Sequence, residues 1–137
     1  MRRIIQQDTT GCGLACIAML AKTSYKKVKA LAIKNLDFDN DGEFYTNTKD
    51  LVFLGKNYSI EIGSRRRKFK GYGHLPDKAI LAINYKESSD TWHWVIYHRT
   101  RNEEYVLDPK KSIKTNKRTD LTRIAKNTTH WLGVVCT

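Results

Sequence analysis

Of the three cysteines in the chain, Cys12 has the neighbours that a nucleophile needs. It stands in Gly11-Cys12-Gly13, at the head of residues 14–21, a run in which every residue is apolar or small. Such a run reads as a buried helix with no polar face. Its first turn aims free amides and the positive end of the helix dipole at the Cys12 sulfur. A thiol placed there has its thiolate favoured, and the thiolate is the attacking form. Glycine on both sides lets another backbone, such as a substrate's, approach closely. Gln6, six residues upstream, can fold its side-chain amide back toward the sulfur. With the Cys12 N–H it would make a two-donor pocket for an oxyanion. The same residues also describe a helix that merely starts after a glycine turn and carries a buried thiol. On this stretch alone both descriptions stand.

A thiol nucleophile needs a base within hydrogen-bond reach, and the base needs an orienting partner. Two of the four histidines, His93 and His98, lie in Trp92-His93-Trp94-Val95-Ile96-Tyr97-His98, a run of strong strand propensity. Alternation puts His93, Val95 and Tyr97 on one face and His98 on the other. After a turn around residues 100–102, the return strand Glu104-Tyr105-Val106-Leu107 ends in Asp108-Pro109. In that hairpin His93 falls opposite or diagonal to Asp108, depending on the turn register, and His98 sits near the turn. Taken singly, His93 is an aromatic-belt histidine and Asp108-Pro109 is a strand-ending turn.

Together, Gln6, Cys12, His93 and Asp108 stand in the order and the element types of a papain-like cysteine peptidase. More closely, the sequence resembles the bacteriocin-processing peptidases that cut after double-glycine leaders, in the free-standing form without a transporter. Three segments carry the resemblance: Gln6 to Leu20, His93-Trp94-Val95-Ile96, and Val106-Leu107-Asp108-Pro109. The strand that precedes the histidine in that family is similar to residues 79–84 here. The resemblance implies a thiol hydrolase of peptide or isopeptide bonds, acting on a peptide or protein substrate without a cofactor. It implies that Gln6 is the oxyanion residue, Cys12 the nucleophile, His93 the base and Asp108 its orienter. Gly11 stands where members of the family usually have Asp. Cys16, one helical turn after Cys12, and Cys136, at the end of an apolar strand, read as core. The close paired spacing of a structural zinc site is missing, so no metal is assigned.

Several elements must hold these residues in place. Residues 1–10 read as extended, with 3–7 a short strand leading into the cysteine turn. The buried helix spans about 12–22, and Thr23-Ser24 caps a second helix, Tyr25–Asn35, that covers it. Asp37 to Glu43 place acids at alternating positions like the front of a calcium loop. The bidentate Glu that should close such a loop is Thr48, so the stretch reads as a polar turn. Thr46-Asn47-Thr48 caps a third helix through about residue 56, and 58–62 alternates like a strand. Strands follow at 79–85, 92–99 and 104–107, then a short polar helix at 121–126 and a last strand at 131–136. Helices first and a strand meander after them give an α+β fold, with N-terminal helices packed on an antiparallel sheet.

At 137 residues the expectation is one domain over the whole chain, long enough to bury a core. The chain carries no apolar run near the roughly 18 residues that a bilayer span needs. Met1-Arg2-Arg3 leads into Gln6-Gln7-Asp8 rather than an apolar signal core. An odd count of three cysteines fits a reducing compartment. The expectation is a cytoplasmic protein with no membrane partner. Twenty-five Lys and Arg against 14 acids leave a net charge of +11, which points to a polyanionic partner or to solubility by charge. Arg65-Arg66-Arg67-Lys68-Phe69-Lys70 is one dense block, read as a solvated loop; Lys110, Lys111, Lys114, Lys117 and Arg118 form another. The alternative to the peptidase keeps the fold and makes the chain a basic effector or toxin domain. It would bind or cleave RNA through Arg65, Arg66, Arg67 and Lys68, or be an inactive member that binds a partner.

Overall fold

The computed structural model describes residues 1–38 and 42–136, with Cys136 described by its backbone alone. Helix α1 (Cys12–Ala21) starts at Gly11 and buries every residue from Cys12 to Leu20. It ends at Lys22, whose left-handed backbone (φ 56°) returns its N–H to the carbonyls of Ala18 and Met19. Helix α2 (Tyr25–Asn35) is capped by the Ser24 hydroxyl, which accepts from the Lys27 N–H at 3.2 Å. It buries Tyr25, Val28 and Ala32 and leaves Lys26 and Lys27 exposed. Helix α3 (Thr48–Lys56) opens with a full capping box, Asn47 and Asp50 each accepting from the other's backbone. The acids of the calcium-like loop at Asp39 and Asp41, with Asn40 between them, lie outside the described residues.

The sheet follows the helices. Its strands are β1 (Ile60–Ile62), β2 (Arg67–Lys68), β3 (Lys78–Lys86), β4 (Thr91–Arg99), β5 (Glu104–Leu107) and β6 (Thr128–Cys136). They run antiparallel in the order β1-β6-β3-β4-β5, and β2 pairs on β6. Leu14, Ile17, Val28 and Leu51 meet Ile80, Trp94, Ile96 and Leu132 on one face. On the other, Leu81, Ile83, Val95, Tyr97 and Val106 pack with Leu75 and with Ile124 of the short helix α4 (Leu121–Lys126). The centre of the sheet is therefore covered twice. That is why residues 79–83 of β3 are all buried and read as a continuous apolar run instead of alternating. The fold is the α+β arrangement of N-terminal helices on an antiparallel sheet.

Three local expectations are corrected. Residues 3–7 form no strand, because what lies beside them is a turn and not a sheet edge. Their backbone tie is the Gln6 N–H to the Pro109 carbonyl at 2.9 Å. The Arg-rich block is not wholly a loop, since Arg67 and Lys68 pair with Trp131 and His130. Strand β6 begins at Thr128, three residues early, because Thr128 and His130 already pair with β3. Those residues are polar and half-exposed or exposed, so no apolar pattern marks the strand's start.

Candidate active site

The N-terminus of α1, the start of β4 and the turn after β5 converge on one spot. Cys12 is 7% exposed, and its Sγ accepts the backbone N–H of Trp94 at 3.4 Å. The flanking glycines are needed for contact within the chain itself. A Cβ on Gly11 would lie 1.9 Å from the Tyr25 hydroxyl, and one on Gly13 would lie 1.8 Å from Thr46 Oγ1. Gly11 has φ −89°, so it is room and not backbone freedom that demands glycine there. Tyr25 Oη donates to Asp8 Oδ2 at 2.7 Å, and Lys29 Nζ lies 3.1 Å from Asp8 Oδ1. The loop before the cysteine is thus tied to α2 through the Asp8 carboxylate.

His93 Nε2 lies 2.6 Å from Asp108 Oδ1, and Asp108 is 2% exposed. Pairing of Ile96 with Leu107 and of Tyr97 with Val106 sets Asp108 level with Val95, so His93 reaches it on the diagonal. His98 is at the other end of the hairpin, with Nδ1 2.8 Å from Tyr105 Oη. Gln6 lies beside the cysteine in the wall of the same cavity, but its amide is engaged. Nε2 donates to the carbonyls of Asp8 (3.0 Å) and Thr9 (2.9 Å), and the buried Oε1 has no partner. Both amide hydrogens are spoken for in this state.

The Peptidase C39 family profile matches residues 1–133. The chain belongs to the Peptidase C39 family. Among solved structures it is similar to the peptidase domain of Streptococcus ComA, a bifunctional ABC transporter involved in a quorum-sensing pathway. The TM-score is 0.67 at 20% identity, over 98% of this chain and 96% of that one, and at such identity the likeness speaks for the fold. No curated protein matches the chain. As a C39 member it is a cysteine peptidase, a hydrolase that acts on peptides.

The electrostatics of the C39 site follow from who surrounds each group. Burial alone would lower the His93 pKa, yet hydrogen bonds to Asp108 and Cys12, and the charges of both, lift it to about 9. Burial alone would raise Asp108, but the His93 hydrogen bond and charge, the Lys110 N–H and Arg118 hold it below the usual carboxylate range. Burial pushes the Cys16 thiol well above an ordinary thiol, which keeps it inert beside Cys12. Two further residues of the C39 peptidase escaped sequence reasoning. Arg118, which the sequence groups with the second basic block, gives Nη1 to Asp108 Oδ2 at 2.8 Å while its Nε and Nη2 hold Asp120. Arg3 gives its guanidinium to the carbonyls of Asp108 (2.6 Å), Lys110 (2.9 Å) and Ile113 (2.6 Å). The one local signal was the Arg118-Thr119-Asp120 spacing, which places an acid beside an arginine.

Two hollows of the C39 peptidase meet at the thiol. One, about 650 Å³, is lined by Gln6, Thr10, Cys12, His93, Lys110 and Lys111 among others. The other, about 230 Å³, is lined by Cys12, Tyr45, Thr46, Asn47, Trp92 and Trp94. In the exposed Arg block the Arg66 guanidinium is 5.8 Å from the ring centre of Trp92, a residue of both walls, and that of Arg67 is 5.9 Å from Trp131. Two of its three arginines thus rest on the protein's own aromatics. We expect replacement of Arg65, Arg66 and Arg67 by Ser to leave peptide hydrolysis and folding close to native, because exposed charges contribute little. Filter retention of single-stranded RNA should be unchanged by the same substitution. Retention that is lost in the variant, and that in the native protein falls by roughly 0.7 log units per phosphate contact for each tenfold rise in salt, would make the block a nucleic-acid surface. No helix among the described residues is long and apolar enough to cross a membrane.

Proposed function

We propose that the chain hydrolyses a peptide or isopeptide bond with Cys12 as nucleophile, His93 as proton shuttle and Asp108 as its orienter. The observation that carries this is the His93–Asp108 contact of 2.6 Å on a buried carboxylate, with His93 and Cys12 in the wall of one cavity. Nε2 is committed to Asp108, so Nδ1 is the nitrogen left for the thiol. The raised imidazole pKa and the Trp94 N–H on Sγ both favour a thiolate–imidazolium pair. The thiolate adds to the substrate carbonyl, and the oxyanion forms at the N-terminus of α1, within reach of the Cys12 N–H. Gln6 joins it by exchanging one of its two loop carbonyls for the oxyanion. His93 then protonates the leaving amine, and the thioester is hydrolysed by a water that His93 deprotonates.

Arg118 acts through Asp108, keeping it ionised and its Oδ1 turned toward the ring, which makes it a positioning residue. The proposal is tested on the thiol itself. His93→Ala should slow iodoacetamide alkylation of Cys12 at least about tenfold near neutral pH, because the imidazolium that favours the thiolate is gone. His98→Ala should alkylate at the native rate, since its ring faces Tyr105. Equal effects of the two changes would remove His93 from the mechanism.

A further inference from the structure

The larger hollow beside Cys12 has a one-sided charge. Lys86 at the end of β3, and Lys110 and Lys111 in the turn after β5, line it together with His93, and all three lysines are exposed. None of them makes an ion pair among the described residues. Among the described residues the only carboxylate in that wall is Asp8, whose two oxygens are taken by Lys29 and Tyr25. No described residue of the cavity wall therefore answers the lysines. In a chain of net charge +11, that leaves a cleft whose field draws anions toward the nucleophile.

The turn that carries two of these lysines is also held rigid. Arg3 grips three of its carbonyls, the Ile113 N–H closes on the Lys110 carbonyl at 3.0 Å, and the Pro109 carbonyl accepts from Gln6. The Lys110 N–H binds Asp108 Oδ1 at 2.9 Å, so the turn is continuous with the carboxylate that faces His93. Basic side chains on a fixed backbone lose less freedom on meeting a ligand than those on a floppy loop.

We infer that the peptide this cleft accepts is acidic, with Asp or Glu side chains next to the scissile bond seated against Lys86, Lys110 and Lys111. This names the substrate class and rests on the peptidase function proposed above. The other hollow, walled by Tyr45, Thr46, Trp92 and Trp94, is the more aromatic side and would take the opposite end of the same peptide.

The test uses a glutamate-rich peptide and its glutamine counterpart of equal length, both lacking thiols. Each is added during iodoacetamide alkylation of the native protein, and label at Cys12 is followed by peptide mapping. The glutamate peptide should protect Cys12 about tenfold better than the glutamine one at low ionic strength, the size expected of several exposed charge pairs acting together. Added salt should erase the difference. The discrimination should vanish in the Lys86→Gln/Lys110→Gln/Lys111→Gln variant and persist in Arg65→Ser/Arg67→Ser. Equal protection by both peptides overturns the inference. So does discrimination that survives loss of the lysines or disappears with the arginines. Protection by a single-stranded oligoribonucleotide as strong as by the glutamate peptide would assign the lysines to phosphate and overturn it as well. Fluorescence anisotropy of the two labelled peptides on the Cys12→Ala protein reads the same discrimination without the thiol. A protein whose Cys12 is unreactive would then sink the catalytic mechanism, while acidic-peptide binding is judged separately.

Discussion

Replacing Cys12 with Ala should abolish peptide hydrolysis, a loss of at least about ten-thousandfold in kcat, because the thiol that would form the covalent intermediate is gone. Cys16, the thiol one turn along the same helix, gives the matching control. It is fully buried, and burial holds it protonated. Cys16→Ala should therefore keep hydrolysis and lose stability only through the small void it leaves. Peptide release from a defined peptide mixture, followed by mass spectrometry, measures both. The variants must first be shown folded by circular dichroism. Retained hydrolysis in Cys12→Ala would mean that the bond is broken elsewhere on the molecule.

The second large effect concerns Asp108 and pH. With His93 lifted to about 9, the imidazolium that protonates the leaving amine persists well above neutrality. The rate should hold across the neutral range and fall as pH rises through about 9. Asp108→Asn removes the charge that supports the imidazolium, so the alkaline limb should move down toward the ordinary histidine value near 6.5. At pH 8 the hydrolysis rate should drop about a hundredfold, combining that shift with a less well held ring. The same groups set stability. A histidine whose pKa is raised on folding contributes stability that is whole below 6.5 and is lost as pH rises through about 9. Asp108, lowered on folding, contributes above 3.8 and loses that contribution as pH falls through its folded value. Thermal unfolding across this range measures the stability effect, and a pH–rate profile measures the catalytic one. An Asp108→Asn profile that superimposes on the native one would leave Asp108 no part in tuning His93.

What local pattern could reveal here was set by interactions between near neighbours. Helix α2 was legible to its ends because Ser24 caps it and Tyr25, Val28 and Ala32 repeat at helical spacing. The diagonal approach of His93 to Asp108 was within reach because a hairpin fixes which residues can touch. The rest depends on contacts that no local pattern encodes. Arg3 binds a turn more than a hundred residues away, and Arg118 reaches back to Asp108 through a bridge between its own backbone and Val106. The glycines beside Cys12 looked like room for a substrate, and the room is filled by Tyr25 and Thr46 from elsewhere in the chain. The spacing of Gln6 to Cys12 suggests an available donor and says nothing of the loop carbonyls that occupy its amide. For the arginines and the glycines the missing information was a tertiary partner, while for Gln6 it was the fold of the loop two and three residues on.

Iodoacetamide tests most directly the proposal that Cys12 is the reactive nucleophile. At about pH 6, where an ordinary thiol is almost fully protonated, brief treatment followed by peptide mapping should place the label on Cys12. Label confined to Cys16 or Cys136, with Cys12 unmodified, would contradict it.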